Sequence, residues 1–197
     1  MIEIDRYKIY ESQGYKFKNF VCLTEEEKRM VLEWRNSADI RKWMYNREII
    51  SYDNHILFIK SLETRDDKYY WLVFNEKDIP VGVFNIINVD LANNKAESGS
   101  YAKPKNILDS FNFSKAYFSF YYDILGFDGM YSCSDANNDN ILLFTRFWGI
   151  VYNRTIKDVV NGHTVLYKVC DNYTKEKYRE KANSTIRDFM VFIRNNK

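Results

Sequence analysis

Apolar positions along the chain fall into short runs whose period changes repeatedly. Tyr15 to Leu23 carries Phe17, Phe20, Val21 and Leu23 and is predicted as a first strand. Thr24 precedes Glu27 by three positions, the spacing at which each side chain reaches the other's backbone N–H. A helix is therefore expected to start there and run to about Asn36, with Met30, Val31 and Trp34 on one side. Asp39 is expected to cap a second, short helix through Ile40, Trp43 and Met44. From Tyr52 to Leu62, His55, Ile56, Ile59 and Leu62 recur at helical spacing.

The period then shortens. Tyr69 to Phe74 and Val81 to Val89 are β-branched and aromatic runs separated by Asn75-Glu76-Lys77-Asp78, a hairpin signal. Glu97 to Tyr101 is a third strand, bounded by Asn93-Asn94 and Pro104. An aromatic-rich helix is predicted from Asp109 to about Leu125, closed by Gly126. Met130 to Ser134 follows as a strand, Asn138 to Trp148 as a helix, and Val151 to Val160 and Thr164 to Cys170 as strands. Thr174 to Asn195, with Tyr178, Ile186, Phe189, Met190 and Ile193, is predicted as an added helix. A meander followed by helical crossovers implies an α/β (α+β) fold with a mixed sheet and helices on both faces. With no linker, repeat or low-complexity tract, one domain is expected over residues 1–173, with 174–197 a helical extension packed on it.

Composition narrows the classes. Aromatics make up 17% of 197 residues, against 7 Gly and 2 Pro, so the chain folds around a sizeable core. Charge is balanced at a formal +2 with no dense basic stripe, which argues against a nucleic-acid partner. Cys22, Cys133 and Cys170 are scattered, and His55 and His163 stand alone, so no metal site is expected. The start, Met1-Ile2-Glu3-Ile4-Asp5-Arg6, has no leader pattern, and no apolar run approaches the ~18 residues that span a bilayer. A cytoplasmic protein without membrane attachment is expected.

Several motifs sharpen the fold reading. Val31-Leu32-Glu33-Trp34-Arg35-Asn36, then Trp43-Met44-Tyr45, then Asn54-His55-Ile56-Leu57-Phe58-Ile59 occur in order. Tyr69-Tyr70-Trp71-Leu72-Val73-Phe74, Pro80-Val81-Gly82-Val83 and Glu97-Ser98-Gly99-Ser100-Tyr101-Ala102-Lys103-Pro104 follow. From about Leu23 to Pro104 this succession resembles the GNAT-superfamily N-acetyltransferases that act on nucleotide-linked amino sugars in the pseudaminic acid pathway of flagellin glycosylation. The last 25 or so residues have no counterpart in it.

The resemblance implies a sheet splayed between its fourth and fifth strands, with acetyl-CoA pairing along the exposed edge at Glu97 to Tyr101. It implies direct attack of a substrate amine on the thioester. On that basis Arg35, Met44, Tyr45, His55 and Tyr101 are expected to bind the nucleotide-sugar substrate. Gly99, Ser100, Tyr101, Lys103, Lys105 and Asn138 are expected to bind the cofactor, and Glu97 to act as base through water.

Two departures stand out. The family's glycine-rich pyrophosphate loop is replaced by Lys103-Pro104-Lys105-Asn106-Ile107-Leu108-Asp109-Ser110-Phe111-Asn112, without glycine. The tyrosine expected to protonate the departing thiolate is Thr145, leaving Tyr152 as another source of a proton. A GNAT-fold binding protein that has lost the cofactor loop, or an acyltransferase using another donor, therefore stays open, as does the question whether the last helix covers the core or a homodimer partner.

Overall fold

The sheet's first strands alternate buried and partly exposed side chains, whereas Trp71-Leu72-Val73 and Gly82-Val83-Phe84 at its centre are buried in runs. The structure, a computed structural model, describes residues 3–103 and 106–196. Its strands are β1 (Tyr10–Ser12), β2 (Tyr15–Asn19), β3 (Lys68–Phe74), β4 (Pro80–Asp90), β5 (Lys95–Ala102), β6 (Gly129–Asp135), β7 (Arg154–Val160) and β8 (His163–Thr174). They form one sheet in the order β1-β2-β3-β4-β5-β6-β8-β7, antiparallel throughout except for β5 beside β6. The helices are α1 (Glu25–Asn36), α2 (Ala38–Arg41), α3 (Tyr52–Ser61), α4 (Ile107–Ser119), α5 (Asp139–Phe147), α6 (Lys175–Lys181) and α7 (Ile186–Asn195).

The capping box forms as expected: Glu27 N–H donates to Thr24 Oγ1 at 3.3 Å, and Thr24 N–H to Glu27 Oε2 at 2.7 Å. Four expectations need correction. The first predicted strand stops at Asn19, whose side chain accepts from Val21 N–H and turns Phe20–Cys22 into a 3₁₀ turn. The short second helix is preceded by Ser37, and Asp39 lies inside its first turn rather than capping it. The strand expected from Val151 starts at Arg154. The single C-terminal helix is two, because Thr185 and Asp188 form a second capping box that restarts the backbone. The strand Tyr10–Ser12, absent from the sequence reading, shifts the numbering, so the splay lies between β5 and β6.

One apolar layer packs α4 against the sheet. Phe17, Trp71, Phe84 and Phe120 interlock there, with Phe17 and Phe120 stacked at 4.1 Å between centroids. The C-terminal helices join this layer: Phe189 stacks on Phe111 at 5.7 Å and Tyr178 on Tyr122 at 4.9 Å. A smaller cluster on the opposite face holds Phe20, Val31, Ile59, Leu72 and Val83 beneath α1 and α3.

Candidate active site

The site starts from a register argument. Lys103 N–H donates to Val81 O at 3.0 Å. In an antiparallel pair bonded and non-bonded positions alternate. Hence Tyr101, Gly99 and Glu97 turn their backbone groups to β4, while Ala96, Ser98, Ser100 and Ala102 turn theirs toward β6. β6 pairs with β5 only over Lys95–Glu97, facing Gly129–Tyr131. Beyond Glu97 no strand pairs with that edge among the described residues, so the two parallel strands open like a V.

Tyr121 sits where they part. Its fully buried hydroxyl lies 2.9 Å from Ala96 N and 3.0 Å from Ala96 O, and donates to Gly129 O at 2.7 Å. It comes from a π-helical turn, Phe120–Ile124, that widens the end of α4. Such turns gather near functional sites because they re-aim a side chain out of helical register.

The V opens into a cavity of about 390 Å³. Glu97 stands at its throat, 8% exposed, accepting from Tyr45 Oη at 2.5 Å on Oε1 and from Asn88 Nδ2 at 2.9 Å on Oε2. Burial, and then the Glu97 carboxylate, push the Tyr45 phenol far above its usual range, so it stays a donor. Burial also raises the Cys133 thiol, which lies beside Tyr45. One cavity wall is aromatic, made by Phe20, Phe58, Tyr70 and Tyr101. His55 belongs to that wall. Its ring bonds the backbone of Lys28, its Nε2 is buried without a partner, and burial lowers its pKa, so the imidazole is neutral and presents an acceptor.

The structure brings most of the expected residues together. Arg35, Met44, Tyr45, His55, Glu97, Gly99, Ser100, Tyr101, Asn138 and Thr145 all line this cavity. Their engagements differ from the expectation in places. The Arg35 guanidinium donates to the carbonyls of Asn46 and Glu48 and so pins the 42–50 segment. The Tyr45 ring packs on Tyr167 at 5.3 Å. Asn138 caps α5 by accepting from Ile141 N–H at 3.3 Å. Gly99 passes so close to Asn85 that an added Cβ would lie 2.9 Å from Asn85 Oδ1.

Three expected residues lie elsewhere. Lys103 is outside the cavity, bonded to Ser37 Oγ at 3.1 Å and to Asp39 Oδ2 at 3.0 Å. The Ser37 hydroxyl, then the Lys103 ammonium, hold the Asp39 carboxyl down at about 2. Lys105, with Pro104, lies outside the described residues. Tyr152 stands behind the cavity wall, its hydroxyl 2.9 Å from Thr145 Oγ1 and donating to Ser134 Oγ at 3.1 Å. Ser134 and Thr145 face the cavity.

Sequence reasoning passed over Asn88, Tyr121, Ser134 and the ion pair of Arg47 with Asp135 at 2.6 Å. For Asn88 a signal existed: it interrupts the apolar run Ile86-Ile87-Asn88-Val89. For the others the partners are distant in sequence and no local pattern announces them. Among the described residues no group of three or more His, Cys, Asp and Glu is arranged to hold a metal, and no helix is long and apolar enough to cross a membrane.

An eight-stranded, mostly antiparallel sheet whose one parallel pair opens into a V beside a crossover helix decides the fold. It is the GNAT fold. A spermidine N-acetyltransferase from Vibrio cholerae, solved with CoA and spermine, superposes with a TM-score of 0.72 at 13% identity, over 84% of this chain and 98% of that one. The N-acetyltransferase PseH of Campylobacter jejuni, solved with acetyl-CoA, superposes with a TM-score of 0.61 at 21% identity, over 80% and 98%. In sequence, the chain is 36% identical over 89 residues to acetyltransferase PseH of C. jejuni strain 81-176, which is 45% of this chain. The chain spans about half, 54%, of the curated relative it matches. No family model matches the chain.

Proposed function

We propose that this GNAT-fold chain is an N-acetyltransferase that moves an acetyl group from acetyl-CoA to the amine of a nucleotide-linked amino sugar, in the cytoplasm, for surface-glycan or flagellin glycosylation. The observation that carries the reading is a buried carboxylate held by neutral donors, Glu97, at the throat of the V and facing an aromatic-walled cavity. Residues 1–173 carry this chemistry in the proposal, with 174–197 an extension packed on the same domain.

Acetyl-CoA fits one half of the site by this chain's own geometry. The backbone groups of Ser98, Ser100 and Ala102, which no strand pairs among the described residues, offer an edge that an extended chain of amides can join. At the phosphate end the glycine turn is missing, Lys103 is tied to Asp39, and the Asp109 N–H already donates to Asn106 Oδ1 at 2.9 Å, which leaves the N–H groups of Ile107 and Leu108 at the start of α4 as the main polar contribution among the described residues. When bound, acetyl-CoA supplies an activated acetyl thioester.

Glu97 then takes the amine's proton, directly or through water, as the nitrogen bonds the carbonyl carbon. Tyr45 and Asn88 keep its two oxygens aimed. On the departing side Ser134 and Thr145 present hydroxyls, with Tyr152 behind them. The aromatic wall suits a ring-bearing acceptor, and the His55 acceptor nitrogen suits one carrying an N–H or O–H donor.

The cavity also speaks against a polyamine acceptor. Its carboxylates among the described residues are Glu97 and Asp135, and Asp135 is neutralised by Arg47. One carboxylate matches one amine.

The test is release of CoA thiol from acetyl-CoA, with UDP-linked 4-amino sugars or with spermidine as acceptor. Turnover with an amino sugar and none above background with spermidine is expected, and Glu97→Gln should lower it by about a hundredfold or more. No thiol release with any amino sugar would remove the reading and leave only the fold.

A further inference from the structure

Strand β4 carries an irregularity shortly before the turn that leads into β5. Ile87 pairs with Glu97, but the next pair is Asp90 with Lys95, so β4 holds one more residue than β5 across this stretch. That is a β-bulge, and it places Asn88 at φ 51°, a left-handed conformation that Asn adopts more readily than most residues. The bulge falls where β5 is about to leave β6, so the extra residue lies beside Glu97 rather than at a sheet end. Its effect is to lean the Asn88 amide across the strand, where it donates to Glu97 Oε2 at 2.9 Å.

A carboxylate accepts and an amide NH₂ donates, so this bond exists only while Glu97 is ionised or offers a lone pair. Glu97 would otherwise have one side-chain donor, Tyr45 on Oε1. With both oxygens held, its plane is fixed, and one rotamer faces the cavity. Without Asn88 the carboxylate can swing about its bond to Tyr45.

We propose that Asn88 is a positioning residue, and that the bulge in β4 exists to aim its amide at Glu97. The catalytic consequence rests on the acetyl-transfer reading above; the effect on the carboxylate does not.

The groups facing Glu97 are Tyr45 from the 42–50 segment, Asn88 from β4, Tyr70 from β3, and Tyr131 and Cys133 from β6. Each of the titratable ones is neutral near pH 7, since burial raises Tyr45, Tyr70, Tyr131 and Cys133. The side-chain contacts that hold Glu97 are therefore neutral donors. Removing the Asn88 donor leaves Oε2 without that partner and frees the carboxylate to turn about its bond to Tyr45.

Asn88→Gly separates this role from a merely structural one, because glycine accepts φ 51° and keeps the bulge while deleting the amide. Carbon-13 NMR of the Glu97 carboxyl, assigned with Glu97→Gln, reads how firmly the carboxylate is held without requiring turnover. Asn88→Gly should shift and broaden that resonance, because a carboxylate that has lost one donor samples more than one orientation. It should lower kcat about tenfold at neutral pH with KM little changed. Asn88→Asp, of equal size but with no N–H to donate, should lower kcat at least as far.

An unmoved Glu97 carboxyl resonance in folded Asn88→Gly, with kcat unchanged, would overturn the proposal. A shifted resonance in a protein that transfers no acetyl group would sustain the positioning role and sink the acetyl-transfer reading instead.

Discussion

The Thr145 side chain sits at a crowded hydrogen-bonding point. Its hydroxyl is 2.8 Å from Ile141 O and 3.2 Å from Leu142 O, so its one proton bonds the helix that carries it. Tyr152, seven positions on and past the end of α5, brings a second hydroxyl to the same point, its one proton shared between Thr145 Oγ1 at 2.9 Å and Ser134 Oγ at 3.1 Å. Burial raises the Tyr152 phenol, which keeps it protonated through the neutral range. If Ser134 hands a proton to the leaving sulfur, Tyr152 is the group behind it. Tyr152→Phe should then lower kcat by about tenfold, with KM for acetyl-CoA little changed, because a thiolate leaving group needs only modest help. Thr145→Val should have the smaller effect, as its proton already bonds the helix. Steady-state kinetics of the two variants makes the comparison, and equal activity of Tyr152→Phe and wild type would end the relay idea. The sequence placed Thr145 and Tyr152 seven residues apart; only the return of the chain beside β8 shows them 2.9 Å from each other.

Elements with a local cause were legible, and those caused by pairing were not. Thr24 and Glu27 announce α1 because both partners lie within one turn. Asn75 to Asp78 announces the β3–β4 hairpin for the same reason. The bulge at Asn88 depends on where β5 pairs, and the π-helical turn at Phe120–Ile124 depends on the position of the β5–β6 parting, so neither follows from its own window. The candidate site was legible as a set of side chains on the Leu23 to Pro104 stretch, because the motifs there are contiguous. Its β6 and α5 wall was less so, since Ser134, Asp135 and Tyr152 gain meaning only from contacts. Tyr121 offers a test at this scale. Tyr121→Phe removes a buried hydroxyl that satisfies Ala96 and Gly129, which should cost about 1–3 kcal/mol. Urea unfolding of the variant should show a lower midpoint at unchanged slope. An unchanged midpoint would mean that β5 and β6 close over the gap without the wedge.

At the scale of the whole molecule, the aromatic content becomes architecture. Phe111, Trp148, Phe147 and Phe189 link α4, α5 and α7 in one aromatic cluster, which ties α7, close to the end of the described residues, to α4 beside the sheet. The balanced charge leaves the recognition of substrate to the cavity rather than to a surface field. The central claim is that the V between β5 and β6 binds acetyl-CoA although the loop before α4 has no glycine. Isothermal titration of the purified chain with acetyl-CoA, repeated with CoA, measures this directly. Micromolar binding of both is the predicted result, the free β5 edge supplying what the loop lacks. Absence of heat with either ligand would contradict the account and turn the search toward another donor or a binding role for the fold.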